Sequence, residues 1–118
     1  MDKIFIYHNP RWGKSRESVK ILEEFGQEYE IVNYIDSPPS AEELKLLANK
    51  MGIKANEFIR KKESIFKELA LQTHLEDDTT LFQYMSENPK LIERPIVVRG
   101  NKAILGRPPE KIAEFLKD

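Results

Sequence analysis

The sequence predicts a small α/β domain in which a strand–helix–strand unit and a strand–strand–helix unit flank a block of helices. Three observations carry this. A short β-branched and aromatic run, Lys3-Ile4-Phe5-Ile6-Tyr7, opens the chain and reads as a strand covered on both faces. Residues from about 56 to 88 carry their apolar side chains at helical rather than alternating spacing. Gly100-Asn101 then separates two further β-rich runs as a two-residue hairpin turn.

After the first strand comes His8-Asn9-Pro10-Arg11-Trp12-Gly13, where Pro and Gly forbid regular structure. A helix is expected from Lys14 or Ser15, with Val19, Leu22 and Phe25 at helical spacing and Gly26 as the stop. Tyr29 to Ile35 is the second strand, closed by Ser37-Pro38-Pro39. Such a β-loop-α-β unit normally joins parallel strands by a right-handed crossover. Ser40 with Glu43 forms a capping box ahead of Leu44, Leu47 and Ala48, and Gly52 ends that helix. In the helical block, Phe58, Ile59, Ile65, Phe66, Leu69, Leu81, Phe82 and Met85 are core candidates. Thr79 or Thr80 is placed to cap its last piece, which Asn88-Pro89 ends. Pro95-Ile96-Val97-Val98-Arg99 and Lys102-Ala103-Ile104-Leu105 are the hairpin strands. Pro108 and Pro109 open a last helix that turns Ile112, Phe115 and Leu116 inward. The order β-α-β, helices, β-β-α is that of a thioredoxin fold with helices inserted in its middle. One domain over residues 1–118 is expected.

Composition bounds the function. At 118 residues, 40% hydrophobic and 33% charged, the chain can bury one core. Its apolar runs are too short to span a membrane, and Met1-Asp2-Lys3 leads into the first strand without a signal-peptide pattern. A cytoplasmic location is the expectation. Lys plus Arg number 19 against 20 Asp plus Glu, so no global field draws nucleic acid or an anionic membrane. The chain has no cysteine, which excludes disulfides, thiolate metal sites and any cysteine-based redox step within it. His8 and His74 lack the carboxylate or cysteine spacing of a metal site, so neither metal nor cofactor is expected.

The loop from His8 to Ser15 stands at the carboxyl end of a strand and directly before a helix, the place where open α/β folds put their sites. A helix start offers unpaired N–H groups and a positive dipole end to an anion, and Lys14, Ser15 and Arg16 add donors there. The plainer alternative is an ordinary strand-to-helix connection with solvated Lys and Arg side chains.

Tyr7-His8-Asn9-Pro10 followed by Gly13-Lys14-Ser15-Arg16 resembles the active-site loop of glutathione/glutaredoxin-coupled arsenate reductases, in the arsenate reductase/Spx family. Ile92-Glu93-Arg94-Pro95-Ile96-Val97-Val98 is similar to that family's Arg-Pro-Ile-Val segment, and Gly106-Arg107-Pro108 to its last arginine. Tyr34-Ile35-Asp36-Ser37-Pro38-Pro39, Gly52-Ile53 and Ile59-Arg60-Lys61 match its middle, so the likeness runs from about residue 3 to 116. The resemblance implies a thioredoxin-like fold of the arsenate reductase type with a four-stranded mixed sheet. It further implies a tetrahedral oxyanion held by Arg60, Arg94 and Arg107 together with Gly13, Lys14 and Ser15, and a cis peptide bond before Pro95. Guanidinium groups are always charged and bind oxyanions bidentately, which suits arsenate, phosphate or sulfate. The alternative for the arginines is separate surface salt bridges. His8 matches a histidine that sets the electrostatics of the reductases' nucleophile; without a thiol to tune, it reads as a satisfied histidine at a strand end.

One departure decides the reading. Trp12 stands where the reductases carry their nucleophilic cysteine. The family reaction needs a thiolate to attack arsenic and a second thiol to resolve the adduct, and neither Trp12 nor the alcohol of Ser15 can replace them. Trp12 could fill the oxyanion pocket, stand exposed as a partner's anchor, or cover a degenerate site. Three functions follow: a catalytically silent member that keeps an oxyanion pocket; an Spx-like interaction module, whose partner would be the α subunit of RNA polymerase; or an arsenate reductase by family name, by chemistry these residues do not supply. The Spx Cys-x-x-Cys switch is absent, with Asn9 and Trp12 where the pair would fall. A monomer is expected from the likeness and the balanced surface.

Overall fold

Alternation along the first β run sorts its side chains, with Ile4 and Ile6 buried and Phe5 and Tyr7 half-buried. In the computed structural model the described residues are 3–8, 13–26, 28–108 and 110–117, with the side chains of 13–15 outside the description. The chain divides into two compact units, Met1–Tyr34 with Arg94–Asp118, and Ile35–Glu93.

The first unit is a four-stranded mixed sheet in the order β2-β1-β3-β4. Strand β1 (Ile4–Tyr7) pairs parallel with β2 (Tyr29–Val32) and antiparallel with β3 (Ile96–Arg99), which pairs antiparallel with β4 (Lys102–Leu105). Helix α1 (Gly13–Glu24) joins β1 to β2, and α5 (Glu110–Lys117) follows β4. Ile4, Ile6 and Val97 from the sheet meet Leu22 of α1 and Ile112 and Leu116 of α5 in one cluster. Gly26 closes α1 at φ +66°, in the left-handed region that a side chain resists. Gly106 is required by a close approach: a Cβ there would lie 2.7 Å from Ile112 Cδ1 and 3.0 Å from Pro95 Cγ. The Arg99 guanidinium donates to the Phe115 and Leu116 carbonyls, both at 3.2 Å, and lies 5.4 Å from the Phe115 ring. This satisfies carbonyls at the end of α5 with a cation, as the helix dipole favours. The Arg94–Pro95 and Arg107–Pro108 peptide bonds are both cis.

Two expectations in this unit are corrected. The second strand stops at Val32 rather than Ile35, because Tyr34 enters a turn and is wholly buried there. Burial of that large ring outweighs the β propensity of Tyr34 and Ile35. Phe25 falls beyond the end of α1 and is exposed. Pro109 lies outside the described residues.

The second unit is helical: α2 (Ala41–Met51), α3 (Ser64–Glu68) and α4 (Asp78–Glu87), with single 3-10 turns at Ala55–Glu57, Leu71–Thr73 and Pro89–Leu91. Ser40 caps α2 by accepting the Glu43 N–H at 3.1 Å, and Gly52 ends it at φ +71°. Leu44, Leu47, Phe58, Phe66, Leu81 and Met85 are buried, whereas Ile65 and Leu69 are half-buried. The cap of α4 is Asp77, not Thr79 or Thr80. Its carboxylate accepts the Thr80 N–H at 3.2 Å and the Thr80 hydroxyl at 2.7 Å. An ionised acceptor at a helix N-terminus is a stronger cap than a hydroxyl, and it places both threonines inside the first turn. Ala70 holds φ +52° in the short link after α3. Among the described residues no helix is long and apolar enough to cross a membrane.

Candidate functional site

Strand direction gathers several chemistry-bearing residues at one end of the sheet unit. The register pairs Tyr7 with Ile96 and Ile96 with Leu105. One step further sets His8 across from Pro95, and Pro95 across from Gly106, whose N–H donates to the Pro95 carbonyl at 2.8 Å. Arg94 directly precedes Pro95 and Arg107 directly follows Gly106, so both stand just beyond the last paired residues at the open end of the hairpin. The His8 N–H donates to the Val32 carbonyl at 3.1 Å, so β2 ends here as well. Because β1 and β2 run parallel, α1 must return along the sheet, and its N-terminus opens at this same end. Arg94 and Arg107 are both half-buried.

His8 is buried, on the Ile4 and Ile6 side of the sheet by alternation. Its ring titrates below the ordinary 6.5, first because burial disfavours the charged form and then because Arg16 on α1 repels it. The expected satisfied histidine is found only in the backbone. Nδ1 has no hydrogen-bond partner among the described residues, since the strand end offers its backbone groups to the ladder and not to the ring.

Arg60 lies in the helical unit, anchored by its N–H to the Leu91 carbonyl at 2.7 Å. Its Nε is 3.3 Å from Glu63 and its Nη1 3.5 Å from Glu93, with about a fifth of each side chain exposed. Two carboxylates thus share one guanidinium, so an oxyanion reaching Arg60 competes with both. Both partners were visible as residues but not as partners: Glu63 sits at i+3, and Glu93 inside the Arg-Pro segment. Trp12, Asn9 and Pro10 lie outside the described residues, as do the side chains of Gly13, Lys14 and Ser15. The helical unit also carries a pocket of about 420 Å³ lined by Ile35, Glu63, Ile65, Glu68, Glu87 and Lys90, among others, whose carboxylates repel an anion. Among the described residues no group of His, Asp and Glu could hold a metal ion.

A four-stranded mixed sheet with a strand–helix–strand start, a cis-proline opening β3 and helices inserted between defines a thioredoxin-like α/β protein. Residues 7–115 match the ArsC family. The chain is 43% identical over 117 residues to an arsenate reductase of Neisseria meningitidis, covering 98% of this chain and 100% of that one. It is 38% identical over 118 residues to an arsenate reductase of Escherichia coli, covering 100% of this chain and 84% of that protein. The solved arsenate reductase from Vibrio cholerae superimposes with a TM-score of 0.91 at 44% identity, covering 96% of this chain and 97% of that one. The chain belongs to the ArsC family.

Proposed function

We propose that this ArsC-family protein binds a tetrahedral oxyanion at the end of the sheet unit and does not reduce it with a thiol of its own. The observation that supports the binding is that β1, β3 and β4 end together at His8, Pro95 and Gly106 beside the start of α1, which leaves the adjacent Arg94 and Arg107 at that same end of the sheet unit. Both guanidinium groups are permanently charged, and the N-terminal N–H groups from Gly13 onward, with Lys14 and Ser15, add donors of the kind an oxyanion uses. Arg60, the third arginine by family position, lies in the helical unit, where Glu63 and Glu93 hold its guanidinium. Relatives bearing the name arsenate reductase make arsenate the first ligand to test.

The chemistry stops at binding because reduction of arsenate takes two electrons, and the chain has no cysteine to supply or relay them. A monomer acting in the cytoplasm belongs to the same reading. Calorimetric titration at low salt with arsenate, phosphate and sulfate is the test, with Arg94→Ala alongside. Saturable binding that weakens at least tenfold in Arg94→Ala is expected, with no arsenite above the no-protein control when glutathione and glutaredoxin are supplied. Absence of saturable binding, or binding indifferent to Arg94, refutes the site. Arsenite production refutes the silence.

A further inference from the structure

Two hollows of the helical unit share Glu87, which stands exposed at the end of α4. The first, of about 420 Å³, has half-buried apolar walls in Ile35, Ile65 and Pro89 beside the carboxylates of Glu63, Glu68 and Glu87. The second, of about 430 Å³, extends from Glu87 to Gln83 and Tyr84, one turn earlier on α4. Both volumes fall in the range of small-molecule sites, about 300–1,000 Å³, and every one of these residues belongs to the unit Ile35–Glu93. Glu63 is held by Arg60 at 3.3 Å, and one oxygen of Glu87 accepts the Gln83 amide at 2.8 Å. The Glu68 carboxylate enters no ion pair among the described residues, and neither does the ammonium of Lys90, which lines the same hollow. Helix α4 ends here with no Lys, Arg or His in its last turn, so its carbonyl end adds a negative pole, and Pro89 has no N–H to return to it. Apolar walls beneath open carboxylate oxygens suit a cation carried on an aliphatic stem.

We propose that the two hollows joined at Glu87 bind a linear aliphatic polyamine. Its methylenes lie on Ile35, Ile65 and Pro89, and its ammonium groups pair with Glu68 and with the free oxygen of Glu87. The far ammonium enters the second hollow. There the Gln83 amide oxygen accepts a hydrogen bond, its NH₂ being turned to Glu87, and the Tyr84 ring offers a face to a cation. A compact metal cation gains nothing from the apolar walls, and an anion is repelled by the carboxylates. Lys90 opposes the ligand, because it brings a like charge into the first hollow without using the carboxylates itself. This site is separate from the oxyanion reading and does not depend on it.

The test is calorimetry on the full chain at low salt with spermidine as the probe, beside butane-1,4-diamine and magnesium chloride. Saturable spermidine binding is expected. The shorter diamine should bind more weakly because it fills one hollow, and magnesium more weakly still because it brings charge without a stem. Glu68→Gln and Glu87→Gln should each weaken spermidine by about threefold to fivefold, the range for a partly exposed ion pair. The double variant should weaken it by about tenfold or more, since the two carboxylates act on different ammonium groups. Lys90→Ala should tighten it, and Glu114→Gln on α5 should leave it unchanged. Amide resonances followed by NMR give an independent reading, with shifts on binding confined to residues around Ile35, Ile65 and Tyr84 to Lys90. Absence of saturable binding, binding that magnesium matches, or binding indifferent to the double variant overturns the proposal. A lysine-rich peptide that binds where spermidine does not also overturns it, and assigns the hollows to a protein partner.

Discussion

In the helical unit, the functional candidate Arg60 is enclosed by two carboxylates of that same unit, and the helix ends are closed by Ser40, Gly52 and Asp77. The sheet unit closes one helix the same way, through Arg99 on the last carbonyls of α5. At its opposite end it does something else: β1 closes on the buried His8 ring, whose Nδ1 has no hydrogen-bond partner among the described residues. The difference is between ion pairs closed within the helical unit and a buried ring nitrogen left unmatched at a strand end. Stability accounts for the first arrangement. The second costs stability through an unmatched ring nitrogen, and such costs collect at functional sites.

The strongest way to break this contrast is to wedge the sheet end apart. Gly106→Val adds a side chain where even a Cβ meets Ile112 at 2.7 Å, and should cost about 1–3 kcal/mol in urea unfolding. It should also remove the stabilisation by added phosphate, because it shifts the strand that presents Arg107. Loss of stability with phosphate binding intact would show that the ligand sits elsewhere.

Acid separates the two units next. The His8 ring titrates below 6.5 in the folded chain, so the unfolded chain binds a proton first, and the stability held at higher pH is lost as pH falls below that value. Asp77 behaves on a lower scale. Thr80, through its hydroxyl and its N–H, holds the carboxyl below 3.8, so its contribution is complete above that value and is lost as pH falls through the folded pKa. Backbone hydrogen exchange should therefore speed up in β1 in mild acid, before α4 responds. His8→Asn should flatten the first change and leave the second.

The smallest effect has the opposite sign and lies in the helical unit. Ala70 occupies the left-handed region at φ +52°, where a Cβ is unfavourable. Ala70→Gly should stabilise by about 0.5–1 kcal/mol in thermal unfolding, after the extra freedom of glycine in the unfolded chain is subtracted. A Cβ added in one unit and a Cβ removed in the other thus move stability in opposite directions, each for a local steric reason.

Much of this was legible before any coordinates. Residues whose role depends on their own sequence neighbours read correctly: the Gly52 cap, the Gly100-Asn101 hairpin, the apolar rows of α2 and α5. Misreadings arose where tertiary burial overrode local preference, as at Tyr34, or where a charged neighbour outcompeted a hydroxyl, as Asp77 did. The site was legible only through motif likeness. Nothing local announces that His8, Pro95 and Gly106 end at one edge, because a pairing register is a property of two strands. The carboxylates around Arg60 were hidden for a similar reason, since a salt bridge between Arg60 and Glu93 spans most of the helical unit's sequence.

The position of β1 in the sheet has a consequence for how the protein comes into being. Its parallel partner β2 follows soon after, but its other partner, β3, is made only after the whole helical unit has been synthesised. Until then the central strand carries an open edge with Ile4 and Ile6 uncovered by α5, a surface on which other chains can add strands. Contacts this distant along the chain form slowly, because the intervening loop must be closed first. On the ribosome the helical unit emerges between two halves of an unfinished sheet, and closure of β3 onto β1 is the late step that completes the sheet end.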